Sequence, residues 1–274
     1  MFRNMVAGCI GIKLPWEETL ALAAANGFEG VDVPLDLSTS PKAVKKALKK
    51  HKLRPGGTGL PVDFRGDDAA FKATVAELDA KARFAAEVGC TRFYTWILPA
   101  SNERTFEENY RFHAARLGQC ADVLAGHGCR LGLEFVGPKT SREGAKFEFI
   151  HTLGGMLELC ADVGPNAGLL LDSWHWYTSH GTLDDLAKLT DAKVVYVHVN
   201  DAPEGIPIDE QMDLVRRLPG ETGVEDIQGF MGALKRIGYT GPVTPEPFVK
   251  ELADLPPAEA ARVAGEAMTR IWPT

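Results

Sequence analysis

Short apolar runs alternate with longer segments of mixed polarity along the whole chain. The clearest runs are AGLLLD over Ala167–Asp172 and KVVYVHVN over Lys193–Asn200. Continuous apolar runs of this length suit strands buried on both faces. Shorter runs place further strands at Met5–Ile10, Gly30–Val33, Leu53–Leu60, Arg92–Ile97, Arg130–Glu134 and Pro242–Glu246. Helical segments follow at Pro15–Asn26, Pro41–His51, Asp67–Val88, Phe106–His127, Phe149–Val163, Leu183–Leu189, Val224–Ile237 and Pro257–Ile271. Several of them stop at a glycine (Gly27, Gly89, Gly128, Gly238), the residue that most readily closes a helix.

This rhythm amounts to eight strand–helix units in 274 residues. Alternating strands and helices imply a parallel sheet. Eight units of even spacing predict an α/β fold, a (β/α)8 TIM barrel in which residues 1–274 form one domain, rather than an open doubly wound sheet. No GxGxxG follows the first strand and no GxxxxGK[ST] loop occurs.

In such barrels the chemistry sits at the C-terminal ends of the strands. The polar residues in those places are Glu134 (LGLEF), Asp172 (LLLDSWHW), His198 (VYVHVND) and Glu246 (PVTPEPF), from strands five to eight. Any one of them could simply cap a helix or pair with a cation. Four together suit a divalent metal, because buried unpaired carboxylates are costly and a shared ion offsets that cost. Three carboxylates with one imidazole favour Mn²⁺, Mg²⁺ or Co²⁺, with Zn²⁺ also compatible.

His175 lies three positions after Asp172 in DSWHWY. It is either a core histidine in an aromatic cluster or a donor to a substrate oxygen. Trp174, Trp176, Tyr177 and Trp96 are candidate pocket walls, Trp174 being carried forward as a substrate contact. The segment from Asp201 to Gly223 is long for a loop in a compact fold, which points to function. Within it Arg217 (RRLPGETG) is the candidate to fold over the mouth and bind substrate oxygens with its fork of donors; the reverse assignment, to Arg216, stays open. Lys139 is either a second pocket cation or a solvated surface lysine.

Composition narrows the partners. Lys plus Arg is 30 and Asp plus Glu is 37, a net charge of −7 that argues against gripping nucleic acid. A DNA-repair barrel would also need a basic face and a histidine cluster, and only His175 and His198 fall at strand ends. No apolar run reaches the roughly 18 residues of a membrane span. The stretch from Met5 to Ile12 resembles a first strand better than a secretion signal. Five cysteines without a CxxC pair suit reduced thiols and a cytoplasmic location.

LGLEF, LLLDSWHWY, VHVND, RLPGETG and GPVTPEPF, in that order, resemble the xylose isomerase-like TIM-barrel superfamily of sugar isomerases and epimerases. The likeness spans essentially the whole chain and is strongest from Leu131 to Phe248. It implies that Glu134, Asp172, His198 and Glu246 bind the metal and that His175 contacts substrate. It further implies that Glu134 and Glu246 are the acid–base pair, acting through an enediolate on a ketose, keto-polyol or related carbohydrate. The same enediolate could expel a β-hydroxyl or alkoxy group, so a lyase or dehydratase acting on an inosose or 3-keto-glycoside is the alternative. Two departures set this chain apart from ketose 3-epimerases, which carry a Glu where Thr140 stands and an Arg where Glu204 stands. Hydroxypyruvate isomerase and inosose-processing relatives therefore stay open. Without a legible phosphate loop the substrate is expected to be unphosphorylated. Homo-oligomers are common in this superfamily, and one stays open here.

Overall fold

The protein, seen as a computed structural model, is described over residues 1–273. It is a TIM barrel. The strands in chain order are β1 (Phe2–Met5), β2 (Gly30–Val31), β3 (Arg54–Pro55), β4 (Thr58–Gly59), β5 (Arg92–Ile97), β6 (Ala100–Ser101), β7 (Arg130–Phe135), β8 (Phe147–Glu148), β9 (Ala167–Asp172), β10 (Val194–Val199) and β11 (Pro242–Pro245). All but β6 and β8 join one parallel sheet, ordered β3-β2-β1-β11-β10-β9-β7-β5-β4. The pieces β3 and β4 are two halves of a single stave. The first half pairs with β2 and the second with β5, which closes the ring.

The break falls at Gly56 and Gly57. Gly56 N–H donates to Val31 O at 2.9 Å, Val33 N–H to Gly57 O at 3.0 Å, and Gly57 N–H to the Asp32 carboxylate at 3.0 Å. A Cβ on Gly57 would lie 2.7 Å from the Tyr196 ring, so no larger residue fits there.

Inside the barrel a polar layer lies beneath the mouth. Asp32 accepts from Asn4 Nδ2 at 2.9 Å, Tyr196 OH at 2.8 Å and Tyr94 OH at 2.6 Å, and Thr244 joins through Asn4 and Tyr196. Burial raises the Asp32 pKa, and these donors oppose the shift. Two apolar shells surround this layer: strand residues such as Leu131, Leu133, Leu169 and Leu171, and helix faces such as Leu117, Leu124, Met156 and Leu159.

The first strand differs from expectation. It runs over Phe2–Met5, and Ala7–Ile10 forms a 3-10 turn closed by Gly11 at φ 77°. Asn4 looks like a polar break in the sequence, yet its three hydrogen bonds place it inside the ladder. The expected helix Asp67–Val88 is divided at Glu77 into Asp68–Ala76 and Leu78–Val88. Helix Leu153–Val163 begins later than expected because the Thr152 side chain accepts from Gly155 N–H and caps it there. A short helix, Ser173–Thr178, starts directly after β9, with the Asp172 carboxylate accepting from Trp174 N–H. The antiparallel ribbon β6–β8 flanks one side of the mouth.

Candidate metal centre and active site

Strand register brings the four strand-end residues together. His198 stands opposite Asp172, and Glu134 opposite Trp96. Glu246 follows β11, held by its N–H donating to Val199 O at 3.0 Å. One ligand atom from each of Glu134, Asp172, His198 and Glu246 lies within 4.8 Å of the others. Glu134, Asp172 and His198 are buried and Glu246 is nearly so.

The electrostatics of this cluster are tense. Burial raises the Glu134 carboxyl to about 8, helped by Glu246 and Asp172 and opposed by His198. Burial also pushes Asp172 up, but Arg216 and the two imidazoles hold it down to about 2. Burial would lower His198, yet Glu246 and Glu134 raise it well above an ordinary imidazole. Its Nδ1 is 3.3 Å from both glutamates, while its Nε2 is buried without a partner. Three converging carboxylates and the Nδ1 of one imidazole fit a divalent cation. The oxygen-rich donor set suits hard or borderline ions.

Asp172 is fixed by more than its strand. Its Oδ1 accepts from Trp174 N–H at 2.8 Å and from Asn200 Nδ2 at 3.0 Å. Asn200 is steadied in turn by the Ser173 hydroxyl, which donates to its Oδ1 at 3.1 Å and accepts its backbone N–H at 3.2 Å.

Arg216, rather than Arg217, reaches the cluster. Its Nη1 lies 3.1 Å from Glu246 Oε2, and its Nη2 2.9 Å from Asp213 Oδ1. Its side chain is 2% exposed and its charge is strengthened by those carboxylates. The cause is local backbone pairing. Asp201 and Arg217 exchange hydrogen bonds, N–H to O at 3.0 Å and 2.7 Å, which directs adjacent side chains to opposite sides. Arg217 therefore points to a surface cavity shared with Glu204 and Glu221. The Asp201 carboxylate also accepts from the backbone of Ala202, Thr222, Gly223 and Glu225, and this orders the long loop.

His175 lines the same cavity as Glu134, Glu246 and Arg216. Its Nδ1 accepts from Gly137 N–H at 3.2 Å, so the neutral ring carries its proton on Nε2. Burial keeps it neutral, with a pKa of about 4. Arg216 Nη2 approaches that Nε2 at 3.3 Å, donor against donor, leaving the Nε2–H to seek an oxygen acceptor in the cavity. The cavity holds about 360 Å³ and is walled by Trp96, Leu98, Leu214 and Phe248.

Two expected contacts lie elsewhere. Trp174 is fully buried beneath Arg216, 5.4 Å from ring centroid to guanidinium, and does not line the cavity. Lys139 is half exposed, 3.8 Å from Glu143 and 3.7 Å from Asp209, because the 3-10 turn after Pro138 aims it outward. Sequence reasoning passed over Asn200 and Asp32. Asp32 stands just past β2, so the strand-end rule could have found it; Asn200, two positions after His198, carried no such signal.

Among the described residues, no helix is long and apolar enough to cross a membrane. A family model for the xylose isomerase-like TIM barrel matches residues 20–271. The inosose isomerase of Bacillus velezensis is 26% identical over 91% of this chain and 89% of its own. The ketose 3-epimerase of Arthrobacter globiformis is 27% identical over 81% of this chain and 74% of its own. Among solved structures, a xylose isomerase domain protein from Alicyclobacillus acidocaldarius superposes with a TM-score of 0.87 at 28% identity, covering 99% and 98% of the two chains.

Proposed function

From the chain's membership of the xylose isomerase-like TIM-barrel family, we propose that it is a divalent-metal-dependent isomerase or epimerase of a ketose, inosose or related polyol. The observation that carries this reading is the four-residue cluster with two glutamates beside one cavity. A divalent ion held by Glu134, Asp172, His198 and Glu246 would polarise the substrate carbonyl and acidify the neighbouring C–H. Mn²⁺, Mg²⁺, Co²⁺ and Zn²⁺ are all compatible with that donor set.

One of the two glutamates takes the proton from the carbon beside the carbonyl, and the C–H electron pair moves into the enediolate. The same or the other glutamate then returns a proton. Return to the opposite face of that carbon inverts it; return to the neighbouring carbon moves the carbonyl. Arg216 and the His175 Nε2–H steady the oxygens on which charge develops. Trp96, Leu98 and Phe248 cover the C–H faces of the substrate and exclude water. The buried thiols suit a cytoplasmic enzyme.

The test is incubation of the Mn²⁺-loaded protein with a panel of ketoses and inososes in D₂O. Solvent deuterium in a product of unchanged formula supports isomerisation. A product lighter by one water replaces it with the dehydratase reading. No metal uptake and no exchange with any substrate would sink both.

A further inference from the structure

A second cavity of about 420 Å³ adjoins the metal pocket and shares Leu98 and Ser141 with it. It lies beneath the β6–β8 ribbon, and its polar lining includes Arg65, Arg104, Asn109, His113, Ser101 and Glu103. Beside the shared edge is a stack: the Arg65 guanidinium sits 4.1 Å from the Trp96 ring centroid and 4.3 Å from that of Phe64. Arg65 also donates to Trp96 O, while its Nε is buried without a partner. Arg104 lies 3.9 Å over the Phe112 ring.

The neighbouring acids are Asp63 beside Arg65 and Glu103 and Glu108 beside Arg104, and none of the three is in ion-pair contact with either arginine. Asn109 is 4% exposed, and its side-chain amide makes no hydrogen bond within the described protein. His113 donates through Nδ1 to Asn109 O at 2.8 Å, which leaves Nε2 as an acceptor in the neutral ring. Burial, aided by Arg65, Arg104 and Arg116, holds its pKa at about 4, so the imidazole opposes neither arginine's charge at neutral pH. Two guanidiniums and an amide thus face one cavity, and the Arg65 Nε is a buried donor without a partner. They match the oxygen fork of an anion.

We propose that this cavity is an anion subsite that takes a phosphate or carboxylate group carried by the substrate whose carbonyl end enters the metal pocket. Where the group is a phosphate, this departs from the sequence-based expectation of an unphosphorylated substrate. The choice of a carbohydrate anion rests on the isomerase reading; the anion site itself does not.

Calorimetric titration of the Mn²⁺-loaded protein separates the two. The probes are inorganic phosphate, D-fructose, D-fructose 6-phosphate and D-glucuronate, each tested on the parent and on Arg104→Gln. Arg104 lies on the cavity wall rather than in the core, so the variant should fold. A Mn²⁺-binding isotherm and circular dichroism spectrum matching the parent check this. An anionic sugar should bind about tenfold tighter than fructose, and Arg104→Gln should abolish that advantage while leaving fructose unchanged. Inorganic phosphate binding that weakens in Arg104→Gln also supports the subsite, even if no sugar is converted and the isomerase reading fails. Equal affinity for neutral and anionic sugars, with phosphate binding absent or indifferent to Arg104, overturns it.

Discussion

Arg216 Nη1 lies 2.8 Å from Asp172 Oδ2, so a guanidinium from the loop after β10 rests on the carboxylate that ends β9. In the metal-free protein this arginine neutralises part of a buried acidic cluster. Arg216→Gln leaves that charge uncompensated and should cost about 3 kcal/mol in urea denaturation without added metal. Saturating Mn²⁺ should stabilise the variant more than the parent, because the ion takes over the neutralisation. Equal stabilisation of both would show that guanidinium and ion do not compete for the same oxygens.

Glu134→Gln and Glu246→Gln should each lower kcat by about 10²- to 10⁴-fold, since each removes a proton acceptor and a charged ligand. Far-UV circular dichroism should be unchanged. Wash-in of solvent deuterium, measured by mass spectrometry, reads the loss directly. Full exchange in either variant removes that residue from the acid–base pair.

Asn200 touches Asp172 rather than any site where substrate would lie. Asn200→Ala should therefore act through the geometry of Asp172 and weaken Mn²⁺ binding about 10- to 100-fold. Competition against a chromogenic chelator gives the affinity. An unchanged value would mean that Trp174 N–H and the Arg216 guanidinium suffice to orient the carboxylate.

His113 makes acid stability a property of the second cavity. Its folded pKa of about 4 is below the value near 6.5 of an unfolded histidine. The unfolded chain therefore binds the extra proton between those values. Stability is full above pH 6.5 and falls as pH drops toward 4. At pH 4.5 the loss attributable to this group is about 2 kcal/mol relative to pH 7. His113→Gln should lose that much less across the same interval, read as urea midpoints at the two pH values. Identical pH profiles would assign the acid sensitivity to other groups.

The order of strands and helices was legible in the sequence, because buried parallel strands leave continuous apolar runs. The four acidic and imidazole residues were legible for a related reason: in a barrel, a polar residue ending such a run has only the mouth to face. Arg216 and Arg217 could not be separated in this way, because their order depends on a backbone pairing between Asp201 and Arg217 across fifteen intervening positions. The first strand lies ahead of its apolar run because Asn4 breaks the pattern, and only its partners Asp32, Tyr196 and Thr244, distant in sequence, make it an interior residue. Trp174 looked like a pocket wall from its place beside His175. The helical turn that begins at Asp172 turns it into the core instead.

The divided third stave has a mechanical meaning. Around most of the circumference the barrel is a hoop tied by peptide groups, but at Gly57 the knot includes the carboxylate of Asp32. That same carboxylate grips Tyr196, whose ring abuts His198 with centroids 5.4 Å apart. Girth and gauge are thus set by one fastener: whatever loosens the hoop at Gly57 also shifts the imidazole on the far wall.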